Sequence, residues 1–159
     1  MSDTTTVRIG TDPRTLISDD LAGLIAADVR AQFPDLTAEA ADSGVGQMVA
    51  YLHACAVSKR PLSPSPLVDD FWHKFVLRTA AYQEYCLARF GKMVHHQPGF
   101  LHQSEGGGKE LRARAVDAIA DLGFLLDMEF WPEIELAQCS QCHANCSDSP
   151  FHGTSQPKG

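Results

Sequence analysis

Apolar residues recur at steps of three and four along most of the chain, the spacing that gathers one face of an α-helix. Ser18 reads as the cap of a first helix with Leu21, Leu24, Ile25 and Val29 inward. Pro34 ends it near Phe33, because proline disfavours helix in the residue before it. A second helix runs from about Thr37 to Ser58 on the stripe Val45, Met48, Val49, Leu52 and Ala56, with Gly44 and Gly46 weakening its first half. The proline-rich stretch 61–66, "PLSPSP", is a stiff linker. Its Ser65-Pro66 supplies the cap and first position of a third helix. That helix holds Leu67, Val68, Phe71, Trp72, Phe75 and Val76 on one side. Thr79 is expected to cap a fourth helix, "AAYQEYCLARF", closed by Gly91. Residues 92–108 read as a loop. A fifth helix covers 109–122 with Leu111, Ala115, Ile119 and Leu122 inward, and Gly123 ends it. "FLLDMEFWPE" is a short apolar arm suited to packing across the other helices. The one strand candidate, "TVRI", is weak, and no internal repeat is present. The pattern predicts an all-α protein, a small irregular bundle of about five helices. It divides into a flexible lead over 1–14, a single helical domain over 15–135, and a Cys/His-containing tail over 136–159.

Composition narrows the function classes. A chain of 159 residues with 44% hydrophobic residues can build one domain with a core. Its net charge of −7 argues against general nucleic-acid binding, which rests on phosphate neutralisation by Lys and Arg, and against an anionic membrane surface. This leaves another protein as the macromolecular partner to expect. No run approaches the ~18 apolar residues of a membrane helix. The first twenty residues have neither the basic nor the apolar region of a secretory signal. The expected location is therefore cytoplasmic, where thiols stay reduced. Five cysteines also make no complete disulfide set. Clustered cysteines in that setting point to metal or redox chemistry.

Two groupings of His and Cys carry candidate chemistry. The first is "CSQCHANC", 139–146. It matches the c-type haem attachment string in form, but haem is normally attached outside the cytoplasm. A zinc clip suits it better: Cys139, Cys142 and Cys146 as thiolates, with His152 better placed than His143 as a fourth ligand. An iron–sulfur cluster would need Cys55 or Cys86 as well. The alternative is an unstructured tail that holds metals loosely. The second grouping lies within 68–98. His73 falls outside the apolar band of the third helix, with Asp69 one turn before it and Asp70 three residues before it. Cys86 follows on the next helix, and His95, His96 and His102 in the loop. If the third and fourth helices form a hairpin, an Asp/His/Cys/His set could converge on zinc, or on iron if carboxylates dominate. The alternative is a surface His73 paired with Asp69 and an inert, buried Cys86.

Trp72-His73, then Tyr82, Cys86, Phe90-Gly91 and His96-x-Pro98, in that order, resemble the glycine-rich domain-containing protein-like family, known from plant proteins and many uncharacterised bacterial ones. The family pattern is Asp-x-x-Trp-His, a Tyr some ten residues on, a Cys four later, then a Gly and His-x-Pro. "LGFLLDMEFWP", 122–132, is similar to the region that follows in bacterial members. The resemblance covers about residues 65–135. It implies a helical domain with a His/Cys-centred site in which Asp69, or else Asp70, is the leading acid beside His73, Cys86 and His96. It implies no known reaction. Plant members show Trp-His-x-His, and here Phe75 replaces the second His, which removes one ligand if that His is one. No extended glycine-rich region is present.

Other signals are weaker. "GGGKE", 106–110, lacks the first glycine, the Ser/Thr and the preceding strand of a phosphate loop. Lys109, Arg112 and Arg114 open the fifth helix against the macrodipole preference and read as a solvated face rather than an anion surface. His53 reads as a partly buried structural histidine. The leading expectation is a zinc-like metal-binding helical accessory protein with a bundle site and a thiolate tail. The alternatives are a metal-dependent enzyme and a helical interaction domain whose histidines only hold helices together.

Overall fold

The computed structural model describes residues 10–96 and 107–132. Among them stand five α-helices: α1 (Asp19–Gln32), α2 (Ala38–Val57), α3 (Pro66–Leu77), α4 (Thr79–Phe90) and α5 (Gly107–Asp121). Local chemistry sets most of their ends. Ser18, Thr37 and Ser65 each accept a hydrogen bond from the backbone N–H three residues on, satisfying a donor that the first helical turn leaves open. Gly91 and Gly123 take the left-handed backbone that stops α4 and α5, with φ of 72° and 83°. Thr79 does not cap α4. It is the first helical residue, and the junction residue Arg78 makes no side-chain cap. The Arg78 guanidinium instead directs two N–H groups at Asp28 on α1, at 2.8 and 3.0 Å.

Helix α2 is the centre of the bundle, buried on all sides from Gly44 to Leu52 and packed against α1, α3 and α5. The two glycines in its first half serve close approach. A Cβ on Gly44 would lie 2.3 Å from the Phe71 ring of α3, and one on Gly46 would lie 3.2 Å from Arg14. Two expected core positions face solvent: Leu24 is 48% exposed and Leu122 40%. The buried face of α1 is Ala22, Ile25 and Val29, which turns Leu24 toward the solvent side of the helix. Leu122 falls in the turn beyond α5.

Residues 10–14, expected in the flexible lead, are fixed to the body. Thr11 pairs with Phe124 in an isolated parallel bridge, the sole β pairing among the described residues. Asp12 caps a 3-10 turn over Pro13–Leu16. Arg14 then reaches Asp42 at 2.7 Å and Asp19 at 2.9 Å, joining that turn to α2 and α1. The segment "TVRI" lies outside the described residues. The arm after α5 crosses the bundle as its apolar pattern requires. Trp131 is fully buried and donates from Nε1 to Gln47 Oε1 at 3.0 Å, while Gln47 Nε2 donates to the Leu125 carbonyl. Among the described residues no helix is long and apolar enough to cross a membrane.

Candidate metal centre

Helix α3 buries Val68, Phe71, Trp72 and Phe75. That orientation leaves Asp69 and His73, one turn apart, at the edge of the apolar face. The segment after α4 supplies the third group. It is held by a chain of hydrogen bonds: Trp72 Nε1 donates to the Tyr82 hydroxyl at 3.0 Å, and that hydroxyl donates to the Val94 carbonyl. Val94 is buried, and two residues further on the His96 ring lies against Trp72, with centroids 4.3 Å apart. His96 Nε2 stands 2.8 Å from Asp69 Oδ1, and His73 Nε2 stands 3.5 Å from Asp69 Oδ2. The two imidazoles are 4.4 Å apart at their centroids. One ligand atom from each of the three residues lies within 4.8 Å of the others.

These separations fit a single small cation. Ligand atoms about 2.1 Å from a tetrahedral ion stand about 3.4 Å from one another. The cluster is graded in exposure: the His96 side chain is 11% exposed, Asp69 30% and His73 48%. It forms part of the wall of a cavity of about 580 Å³, so one side of it faces open space. The cavity is completed by the 61–66 linker, by Tyr51 and Cys55 of α2, and by Arg112 of α5. Burial pushes the Cys55 thiol up to about 12, against a smaller pull from a hydrogen bond with Tyr51. It is therefore a neutral thiol near pH 7 rather than a thiolate ligand.

Asp69, His73 and His96 come together as the sequence predicted, and Asp69 rather than Asp70 is the acid. Asp70 stands outside the cluster, and its carboxyl is raised by burial and by the neighbouring Asp69 charge. Cys86 does not join the three. Helix α4 turns it inward, fully buried beside the Tyr82 hydroxyl. His95 lines the cavity without belonging to the cluster. Cys139, Cys142, Cys146, His152 and His102 lie outside the described residues. His53 is structural as expected: its Nε2 lies 3.1 Å from the Tyr85 hydroxyl, and its ring is edge-on to Phe90. Sequence reasoning missed the cavity residues Tyr51, Arg60, Lys92 and Arg112. The basic start of α5 was the available signal for Arg112. It is not a solvated face, because Lys109, Arg112 and Arg114 are all half-buried and Arg114 donates to the Pro61 carbonyl at 2.9 Å.

The fold and cluster together define a small helical bundle with, among the described residues, one candidate three-ligand centre. The chain belongs to the UCP032817-like family, an uncharacterised one, whose model matches residues 14–114 and so spans the whole cluster. No curated protein and no solved structure gives a significant match.

Proposed function

We propose that Asp69, His73 and His96 hold one zinc-like divalent ion, and that the protein is a metal-binding helical protein whose centre is open to a small molecule. The observation that supports this most is the approach of three ligand atoms to within 4.8 Å at the wall of a cavity. Structural zinc sites close with four protein ligands, whereas catalytic ones use three and keep a position open. Two imidazoles and a carboxylate also suit ferrous iron, so iron is the second choice. An ion there would polarise a bound group or lower the pKa of a bound water. The chain's own contribution is orientation: Trp72 backs the His96 ring, and Tyr82 anchors the segment that carries it. The resemblance to the glycine-rich domain-containing protein-like family fits this reading, since Trp72, His73, Tyr82 and His96 all build the site. The tail cysteines Cys139, Cys142 and Cys146, with His152, are a second, separate binding proposal.

Elemental analysis tests the reading on the full-length protein, a version ending at Gln138, and the variants Asp69→Ala and His96→Ala. The expected result is about one ion per chain in the version ending at Gln138, lost when either substitution is made in that version while helical circular dichroism is kept. Metal that disappears with the tail, or that is indifferent to both substitutions, would leave the three residues as a hydrogen-bonded clasp between α3 and the segment after α4.

A further inference from the structure

The cavity beside the cluster sorts its polar groups from its apolar ones. Arg60 and Lys92 stand exposed at its rim, where water solvates their charge. Arg112 and the buried Ser63 are each engaged by an interaction within the protein. The inner wall is different. Tyr51, Leu62, Trp72 and Val94 are buried there, with Met93 half-buried beside them. The polar atoms of this wall are already spent on the protein itself. The Tyr51 hydroxyl donates to the Leu62 carbonyl at 3.3 Å and shares a hydrogen bond with the Cys55 thiol. Trp72 Nε1 donates to the Tyr82 hydroxyl, which donates in turn to the Val94 carbonyl. What the wall offers a ligand is therefore ring surface, methyl groups and a thioether. The Tyr51 and Trp72 rings meet edge-on with centroids 5.3 Å apart, and Trp72 lies against His96, so this surface runs unbroken to the cluster.

A space of about 580 Å³ with an apolar wall and its polar groups gathered at one end has the form of a small-molecule site. A charged group laid against the inner wall would lose its water and find no open partner, whereas an apolar one gains by leaving water. We propose that the cavity binds an uncharged small molecule whose apolar body packs along Leu62, Trp72 and Met93. A single donor atom of that molecule, such as a hydroxyl, an amide oxygen or a ring nitrogen, reaches the open side of the ion. The role of the donor rests on the proposed metal centre; the seating of the body does not. The Trp72 ring and the Met93 thioether suit a flat aromatic body, since ring pairs and sulfur–ring contacts add to plain burial.

Cobalt(II) is loaded into the full chain with Cys139, Cys142 and Cys146 changed to serine, so that its visible absorption reports a donor joining the bundle site. Three compounds are titrated in mildly alkaline buffer: imidazole, which is a donor alone; phenylimidazole, which adds an apolar body; and carboxyphenylimidazole, which puts a charge on that body. Phenylimidazole is expected to shift the cobalt bands and to bind about tenfold or more tighter than imidazole, from the apolar surface it buries. The carboxylate is expected to cancel most of that advantage. Leu62→Ala and, at a half-buried position, Met93→Ala should each cut the phenyl advantage about threefold or more and leave imidazole affinity unchanged. A phenyl advantage below about threefold overturns the proposal and leaves the metal centre standing. Carboxyphenylimidazole binding as tightly as phenylimidazole, or an advantage untouched in both variants, does the same. Failure of cobalt to bind at Asp69, His73 and His96 removes the metal centre separately. The seating of the body is then read on the metal-free chain, where phenylimidazole must shift the Leu62 and Met93 amide signals in NMR spectra, and unmoved signals overturn the cavity site as well.

Discussion

Gly44→Ala sets two opposing effects against each other at one position. In an open helix interior, alanine for glycine stabilises by about 1 kcal/mol. At Gly44 the new Cβ would stand 2.3, 2.5 and 2.8 Å from three carbons of the Phe71 ring. Contacting carbons sit at about 3.5–4.0 Å, so the overlap is about 1 Å at several atoms. The ring has nowhere to go: Phe71 is fully buried and lies edge-on to Phe130, with centroids 5.9 Å apart. Overpacking of this kind costs about 1–3 kcal/mol, and this case belongs at the upper end. Subtracting the helix gain leaves a net loss of about 2 kcal/mol. Gly23→Ala on α1 is the control. That glycine is exposed, and nothing stands within 4 Å of its would-be Cβ among the described residues, so the substitution should gain about 0.5–1 kcal/mol. Urea unfolding followed by circular dichroism measures both. Adding Phe71→Leu to Gly44→Ala should recover part of the loss, since contacting residues couple. If Gly44→Ala is as stable as Gly23→Ala, the account of α2 and α3 as helices in glycine-mediated contact is wrong.

Two further outcomes follow from buried groups. The His53 imidazole has its pKa lowered, first by burial and then by the charge of Arg89. The unfolded chain therefore takes up this proton at higher pH than the native one does. Stability is full above the ordinary value of 6.5 and falls as pH drops through it, until the native imidazole protonates too. The melting temperature should fall less between about pH 8 and 5.5 in His53→Gln than in the parent, and equal falls would exclude His53 as a source. Trp131→Ala removes a fully buried indole and leaves Gln47 Oε1 without its donor, which should cost about 3–5 kcal/mol in urea unfolding. Trp131→Phe, which keeps a buried ring but loses the hydrogen bond and part of the indole's volume, should cost less than Trp131→Ala, and parity between the two would show that the arm is not packed as described.

Most helix ends were legible because capping is local chemistry. Ser18, Thr37, Ser65, Gly91 and Gly123 act through atoms within a few residues of themselves. Face assignment was less secure, because neighbours decide where a stripe ends. Leu24 is exposed by the way α1 meets α2, and Gly44 and Gly46 looked like weak helix formers until their contacts with Phe71 and Arg14 were seen. The cluster followed the same division. Asp69 and His73 were readable as a one-turn pair outside the apolar band, and His96 stood out in its motif. Cys86 was misplaced because its direction depends on how α4 rolls against Phe75, whose ring packs on Tyr82 and Tyr85. The cavity was the least visible feature, since it is assembled from α2, the 61–66 linker, the segment after α4, and α5, which no single periodicity connects.

The bridge between Thr11 and Phe124 also gives the fold a mechanical character. Thr11 N–H donates to the Gly123 carbonyl at 2.8 Å, and Leu125 N–H donates to the Thr11 carbonyl at 2.9 Å. Paired chains of this kind run about 4.8 Å apart, so the polypeptide reaches the bundle and comes back from α5 at nearly the same point. Tension drawn through the segment that leads into Thr11 would load this two-bond clasp before it reached any helix.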